Sequence, residues 1–170
     1  MFHSLRCSVV LILLLAGCSS PAPAPPGKPA PVAANLDARI ILAESMCYFK
    51  CASYEIEVAP SGHYKLNNIR DTKKDGVSEG EFGPAVWAKA QAAFDAAHFR
   101  EMPNQLTSSP PGGVPCINDL PTATITQRTS ASETKTVVYY QGCAFPEAGR
   151  LVMALREQFQ WGALVKPPSQ

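Results

Sequence analysis

The chain has 170 residues, 46% of them hydrophobic and 17% charged, the composition of a globular protein. Lys plus Arg number 15 against 14 for Asp plus Glu, and the basic residues do not cluster beyond the pair Lys73-Lys74. That balance argues against nucleic acid as a partner and leaves no polybasic patch for lipid headgroups.

The first segment reads as an export signal. Arg6 lies in a short leading region, an apolar run covers residues 9–15, and small residues Ala16-Gly17 precede Cys18. The run is too short to cross a bilayer, which takes about 20 residues. Leu15-Ala16-Gly17-Cys18 closely resembles the bacterial lipoprotein box. That resemblance implies cleavage after residue 17, a diacylglyceryl thioether on Cys18 and acylation of the new N-terminus; several acyl chains on one residue make a lasting anchor where a single chain is marginal. Ser19 follows the cysteine in place of the Asp that resembles an inner-membrane retention signal. The favoured location is therefore the cell envelope, lipid-anchored at the outer membrane and facing the periplasm, with a cell-surface location or a Gram-positive host as the alternatives. Residues 18–35 are dense in proline and alanine. Proline fixes φ and removes a donor, so this stretch is expected to be an extended tether of about 3.1 Å per residue.

Residues 36–165 have the size of one domain, and residues 166–170 read as a tail. Residues 38–44 are β-prone. Residues 54–58 alternate apolar and charged, as a half-buried strand does. Pro60-Ser61-Gly62 supplies turn chemistry, and residues 63–67 return as the second arm of a hairpin. The polar, glycine-containing stretch 71–83 reads as a loop. From Pro84 the period changes: Trp87, Ala90, Phe94 and Ala97 recur at three and four residues, predicting a helix to about His98. Residues 108–115 contain Pro110-Pro111-Gly112-Gly113 and read as a loop. Two β-rich runs follow at 122–127 and 136–140, joined by a polar Ser/Thr-rich connection. Pro146 opens a second helix with Leu151, Val152, Leu155 and Phe159 on one stripe. The order strands, helix, strands, helix predicts an α+β fold of two layers, an antiparallel β-sheet with both helices on one face.

Of six cysteines, Cys7 leaves with the signal and Cys18 takes lipid. Cys47, Cys51, Cys116 and Cys143 remain, and in an oxidising compartment they are expected to form two disulfides with three connectivities open. Folding the second hairpin brings Cys116 and Cys143 together, which leaves Cys47 with Cys51; crossed pairing between the hairpins is the rival. Cys47 and Cys51 could not bridge within a regular helix, where i and i+4 β-carbons sit about 5–6 Å apart and a bridge needs about 3.8 Å.

Cys47-x-x-x-Cys51-x-x-Tyr54, Gly62 between two strands, Asn118-Asp119-Leu120-Pro121-Thr122 and Tyr140-Gln141-Gly142 before the last helix together resemble an uncharacterised bacterial domain family, domain-of-unknown-function family 6438. The likeness runs over roughly residues 40–161. Phe49-Lys50 and Ala52 depart from the Cys-Phe-Gly-x-Cys-Pro-x-Tyr opening common in that family. Membership implies an exported or lipid-anchored domain and brings no reaction with it.

No catalytic or metal-binding set emerges. Redox chemistry at Cys47 and Cys51 would prefer a Cys-x-x-Cys at a helix N-terminus, and zinc would need four reduced ligands. Asp71-x-x-x-Asp75-Gly76 fits an EF-hand only at loop positions one, five and six, with Lys73 at three and Phe82 at twelve, so it reads as a turn. His63 and His98 stand in no known catalytic motif. Glu79 with Glu81, and Asp119 with Glu147, read as solvated charges before they read as catalytic pairs. Tyr139, Tyr140 and Trp161 read as packing before they read as a binding patch. The expected function is that of a membrane-anchored lipoprotein of the envelope, a non-enzymatic module that needs no cofactor and binds or supports an envelope protein; inhibition of a hydrolase is a special case. The alternatives are a thiol–disulfide protein using Cys47 and Cys51, and an envelope hydrolase.

Overall fold

The structure, a computed structural model, describes residues 37–48 and 50–166. The expected signal, Cys18, the tether and residues 167–170 lie outside the described residues.

Among the described residues seven strands form one sheet. They are β1 (Arg39–Glu44), β2 (Ser53–Val58), β3 (His63–Arg70), β4 (Gly76–Glu81), β5 (Gln105–Leu106), β6 (Thr122–Arg128) and β7 (Thr134–Tyr140). The helices are α1 (Pro84–Ala96), α2 (Pro146–Gln158) and the short α3 (Trp161–Leu164), with a 3-10 turn at Phe99–Glu101. The strand order is β4-β3-β2-β1-β6-β7-β5, so β1 joins the meander β2-β3-β4 to the hairpin β6-β7. All pairings are antiparallel except β5 beside β7.

Side-chain alternation decides which face is covered. On β1, Ile40, Leu42 and Glu44 are buried while Arg39, Ile41 and Ala43 are half-buried. Ile40 sits between Val58 and Gln127, and Leu42 between Ile56 and Ile125. This inner face carries α1 through Ala90 and Phe94, and α2 through Ala148, Leu151, Val152 and Leu155. One continuous core results, in a two-layer α+β fold with both main helices on one side. Three of the four residues on the predicted α1 stripe are buried, Trp87 being half-buried, and all four on the α2 stripe are buried.

One reading needs correction. Residues 71–83 are not all loop, because β4 forms within them and pairs with β3 from His63↔Glu81 to Asn68↔Gly76. The sheet is antiparallel as expected, with one short addition at its far edge, where β5 lies parallel to β7 through Gln105↔Val138 and Leu106↔Tyr139. Neither strand has a period-2 apolar face to announce it.

Gly62 is required by contact as well as conformation. Its φ is 91°, and a β-carbon there would meet the Gly83 carbonyl oxygen at 2.2 Å, where the β3 turn closes on the start of α1. Phe82 N–H donates to the Gly62 carbonyl at 3.0 Å in the same closure.

Candidate functional site

The end of β1, the start of β2, the start of β6 and the end of β7 meet at one end of the sheet, since Glu44 is paired with both Tyr54 and Ala123 and Thr122 with Tyr140. Ser45 ties the connections together there: its N–H donates to the Thr122 carbonyl at 2.9 Å, and its Oγ accepts from Thr122 N–H at 3.1 Å. Both disulfides brace this end. Cys47 and Cys51 lie with sulfurs 1.98 Å apart in the β1–β2 connection, and Cys116 and Cys143 at 2.00 Å join the segments flanking the β6–β7 hairpin. The crossed connectivity is not the one present.

The loop before β6 is pinned by backbone bonds. Ile117 N–H donates to the Gly142 carbonyl at 2.8 Å, Gln141 N–H to the Pro121 carbonyl at 3.0 Å, and Leu120 N–H to the Tyr140 hydroxyl at 3.3 Å. Gly142 is needed here because a β-carbon would stand 2.0 Å from the Ile117 carbonyl oxygen. Met46, Tyr48, Ile117 and Leu120 are exposed on these connections, at a braced end where large apolar side chains remain in solvent.

Beneath this surface lies a charged pair. Glu44 occupies an inward position of β1 and its side chain is only 3% exposed. Arg156 of α2 reaches it with two bonds, Nε to Oε1 at 2.8 Å and Nη2 to Oε2 at 2.5 Å, and Nη2 also donates to Gln141 Oε1 at 3.2 Å. The Trp161 ring lies under the guanidinium at 5.3 Å. Burial works against the Arg156 charge, but the hydrogen bonds and the charge of Glu44 outweigh it and raise its pKa. A two-pronged pair of this kind holds α2 to the end of β1; both charges are spent on each other, which suits a brace better than a reactive centre.

Tyr54 is buried directly across from Glu44. Its hydroxyl lies against the Glu44–Arg156 pair without a well-aligned hydrogen bond. Burial first, and then the neighbouring Glu44 charge, push the phenol far above its ordinary value near 10.0. The folded state therefore holds this proton more tightly than the unfolded chain. The resulting stabilisation is complete below pH about 10 and is lost as pH rises above it. Tyr54→Phe is expected to leave neutral-pH stability within about 1 kcal/mol of the parent, because it removes a buried hydroxyl that lacks a good partner. It should also flatten the alkaline limb of a denaturation-versus-pH curve. An unchanged alkaline limb would refute the role given to Tyr54.

Beside Arg156 an open cleft of about 730 Å³ runs along α2, with Tyr139, Gln141, Val152 and Met153 in its walls. Tyr139 is buried and donates to the Cys143 carbonyl at 3.3 Å, and Trp161 packs half-buried against the core, so both serve packing. Tyr140 is half-buried and takes the Leu120 bond.

The other sequence candidates are dispersed. His63 and Glu79 are side by side on β3 and β4 at 3.9 Å, both about half exposed. Asp119 is exposed in the loop before β6, and Glu147 pairs with Arg150 in the first turn of α2. His98 begins the 3-10 turn with φ 48°. Asp71 and Asp75 belong to a turn: Thr72 Oγ1 donates to Asp75 Oδ1 at 3.0 Å, and Gly76 has φ 104°. No group of three or more His, Cys, Asp or Glu side chains among the described residues could hold a metal ion. Glu44 and Arg156 were missed by sequence reasoning. The signal that could have found them is an acidic residue at the inward phase of a strand that otherwise buries Ile40 and Leu42, because such a charge requires a partner.

No curated protein matches this chain. The family model described as a domain of unknown function, DUF6438, matches residues 38–158, which spans all seven strands and both main helices. The chain belongs to that family.

Proposed function

We propose that this member of the DUF6438 family is a lipid-anchored module of the bacterial cell envelope that holds another envelope protein at the disulfide-braced end of its sheet. Cys18 carries the lipid, residues 18–35 space the domain from the outer membrane, and the domain faces the periplasm. The observation that carries this reading is the convergence of the motif residues. Cys47, Cys51 and Tyr54 come from one connection and strand, residues 118–122 from a second, and residues 140–142 from a third, and all meet at one disulfide-braced end. That end presents exposed Met46, Tyr48, Ile117 and Leu120, and a preformed surface with apolar anchors suits docking because little ordering entropy is lost on binding.

Three experiments test the reading. Labelling bacteria that express the full chain with an alkyne fatty acid should tag the wild type and leave Cys18→Ser untagged and released from membranes; equal tagging of both would end the lipoprotein assignment. A photo-reactive residue at Tyr48 or Ile117 should crosslink to a discrete partner in intact cells. Absence of any crosslink at both positions would end the docking assignment. Cys51→Ser separates this reading from thiol–disulfide chemistry. A structural bridge closing so short a loop predicts a loss of about 2 kcal/mol of stability, whereas a redox couple predicts lost disulfide exchange with stability nearly intact.

A further inference from the structure

We propose that the free edge of β4 is a second binding site, which takes up an extended peptide strand with basic side chains at two alternate positions followed by an apolar one. Among the described residues β4 is an outermost strand of the sheet and pairs only with β3. The opposite edge is blunted, since β5 is two residues long. β4 has six residues, no proline and no lysine, and among its residues only Gly80 is even half-buried. An edge of that length offers a row of backbone donors and acceptors to an added strand.

The side chains state which strand would fit. Val77, Glu79 and Glu81 alternate along β4 on the sheet's outer face, away from the helices. In register across that face run Glu57 of β2, Lys65 of β3 and Glu79 of β4, and Arg39 of β1 bonds Glu57 at 2.8 Å. The sign therefore alternates from strand to strand, from Arg39 to Glu57 to Lys65 to Glu79, and the next strand continues the row with a cation. Glu81 faces His63 and calls for a second cation two residues away. Val77 faces Asn67 and is 62% exposed, with the exposed Ile69 next along β3 on the same face, so the third position is apolar. On the inner side the end of the Tyr64 ring lies over Gly80, where a β-carbon would stand 2.6 Å from its hydroxyl, so a small residue is chosen opposite Gly80 and a polar one opposite Ser78. An antiparallel partner reads Lys-Thr-Lys-Thr-Val from its N-terminus. A second copy of β4 fits poorly, because it would bring Glu79 and Glu81 of both strands together, and like charges across a pair are destabilising.

The test uses the full chain in detergent micelles and the capped peptide Lys-Thr-Lys-Thr-Val, followed by fluorescence anisotropy at low salt and by amide exchange at β4. The expected result is saturable binding with slowed exchange of β4 amides, and roughly a tenfold preference over Glu-Thr-Glu-Thr-Val. The double variant Glu79→Lys, Glu81→Lys should reverse the preference. Two N-methylated peptides, alkylated at odd or at even positions, separate strand addition from surface attraction: only the set that blocks the amides facing β4 should lose binding. Equal binding of both N-methylated forms, no binding, or self-association of the protein in place of peptide uptake would each overturn the proposal. None of these outcomes bears on crosslinking at Tyr48 or Ile117, so failure here is distinguishable from failure of the docking assignment at the disulfide-braced end.

Discussion

Glu44→Ala is expected to cost about 3 kcal/mol of folding stability, the lower end of the range for breaking a buried ion pair. The carboxylate is 3% exposed and the Arg156 side chain 23%, so removing Glu44 leaves a guanidinium committed to a site from which water is largely excluded. The paired double variant Glu44→Leu, Arg156→Met should recover most of the loss, because apolar side chains of similar volume remove both desolvation costs together. A double-mutant cycle in urea supplies the measurement, and the coupling energy between the two sites is the quantity of interest. Additive single effects would show that the pair is not a unit. A Glu44→Ala protein as stable as the parent would show that the end of β1 is held by packing alone.

Loss of the Cys116–Cys143 bridge is the second large effect. The bridge spans 27 residues of sequence, and a loop of that length corresponds to about 3.5 kcal/mol of chain entropy removed from the unfolded state. Ordinary domains have roughly 5–15 kcal/mol in total, so the double variant Cys116→Ala, Cys143→Ala should fall near the lower limit of useful stability. The native state should lose little else, because Ile117 N–H to Gly142 O and Gln141 N–H to Pro121 O hold the same segments. The expected readout is a lower urea midpoint with an unchanged far-ultraviolet spectrum at low denaturant. Retention of the parental midpoint would mean that the unfolded chain is already constrained there. Comparison with the much shorter loop closed by Cys47 and Cys51, at a separation of 4, gives an internal control: its removal should cost less, at about 2 kcal/mol.

Local signals decided most of the fold. Residues 54–58 announced β2 by alternation, and a rigid turn at Pro60-Ser61-Gly62 left β3 no course but to return beside it. The α1 and α2 stripes could be read because a helix buries every third or fourth residue and both helices bury one face only. Proline at the first turn of each helix marked where they begin. Even the cysteine pairing was close to legible, since the hairpin of β6 and β7 carries Cys116 and Cys143 to its open end.

Tertiary structure decided the rest, where the chain carries no local pattern. β4 is Gly-Val-Ser-Glu-Gly-Glu, exposed along nearly its whole length, and it is a strand because β3 offers backbone partners, not because its own side chains prefer one. β5 exists only through a parallel contact with β7 some 33 residues later in sequence, Gln105 beside Val138. Glu44 and Arg156 are 112 residues apart and meet because β1 ends where α2 crosses it. Composition and periodicity report how each segment relates to water. Which segments become neighbours follows from closing one sheet and covering one of its faces, and the candidate docking end and the open β4 edge both arise from that closure.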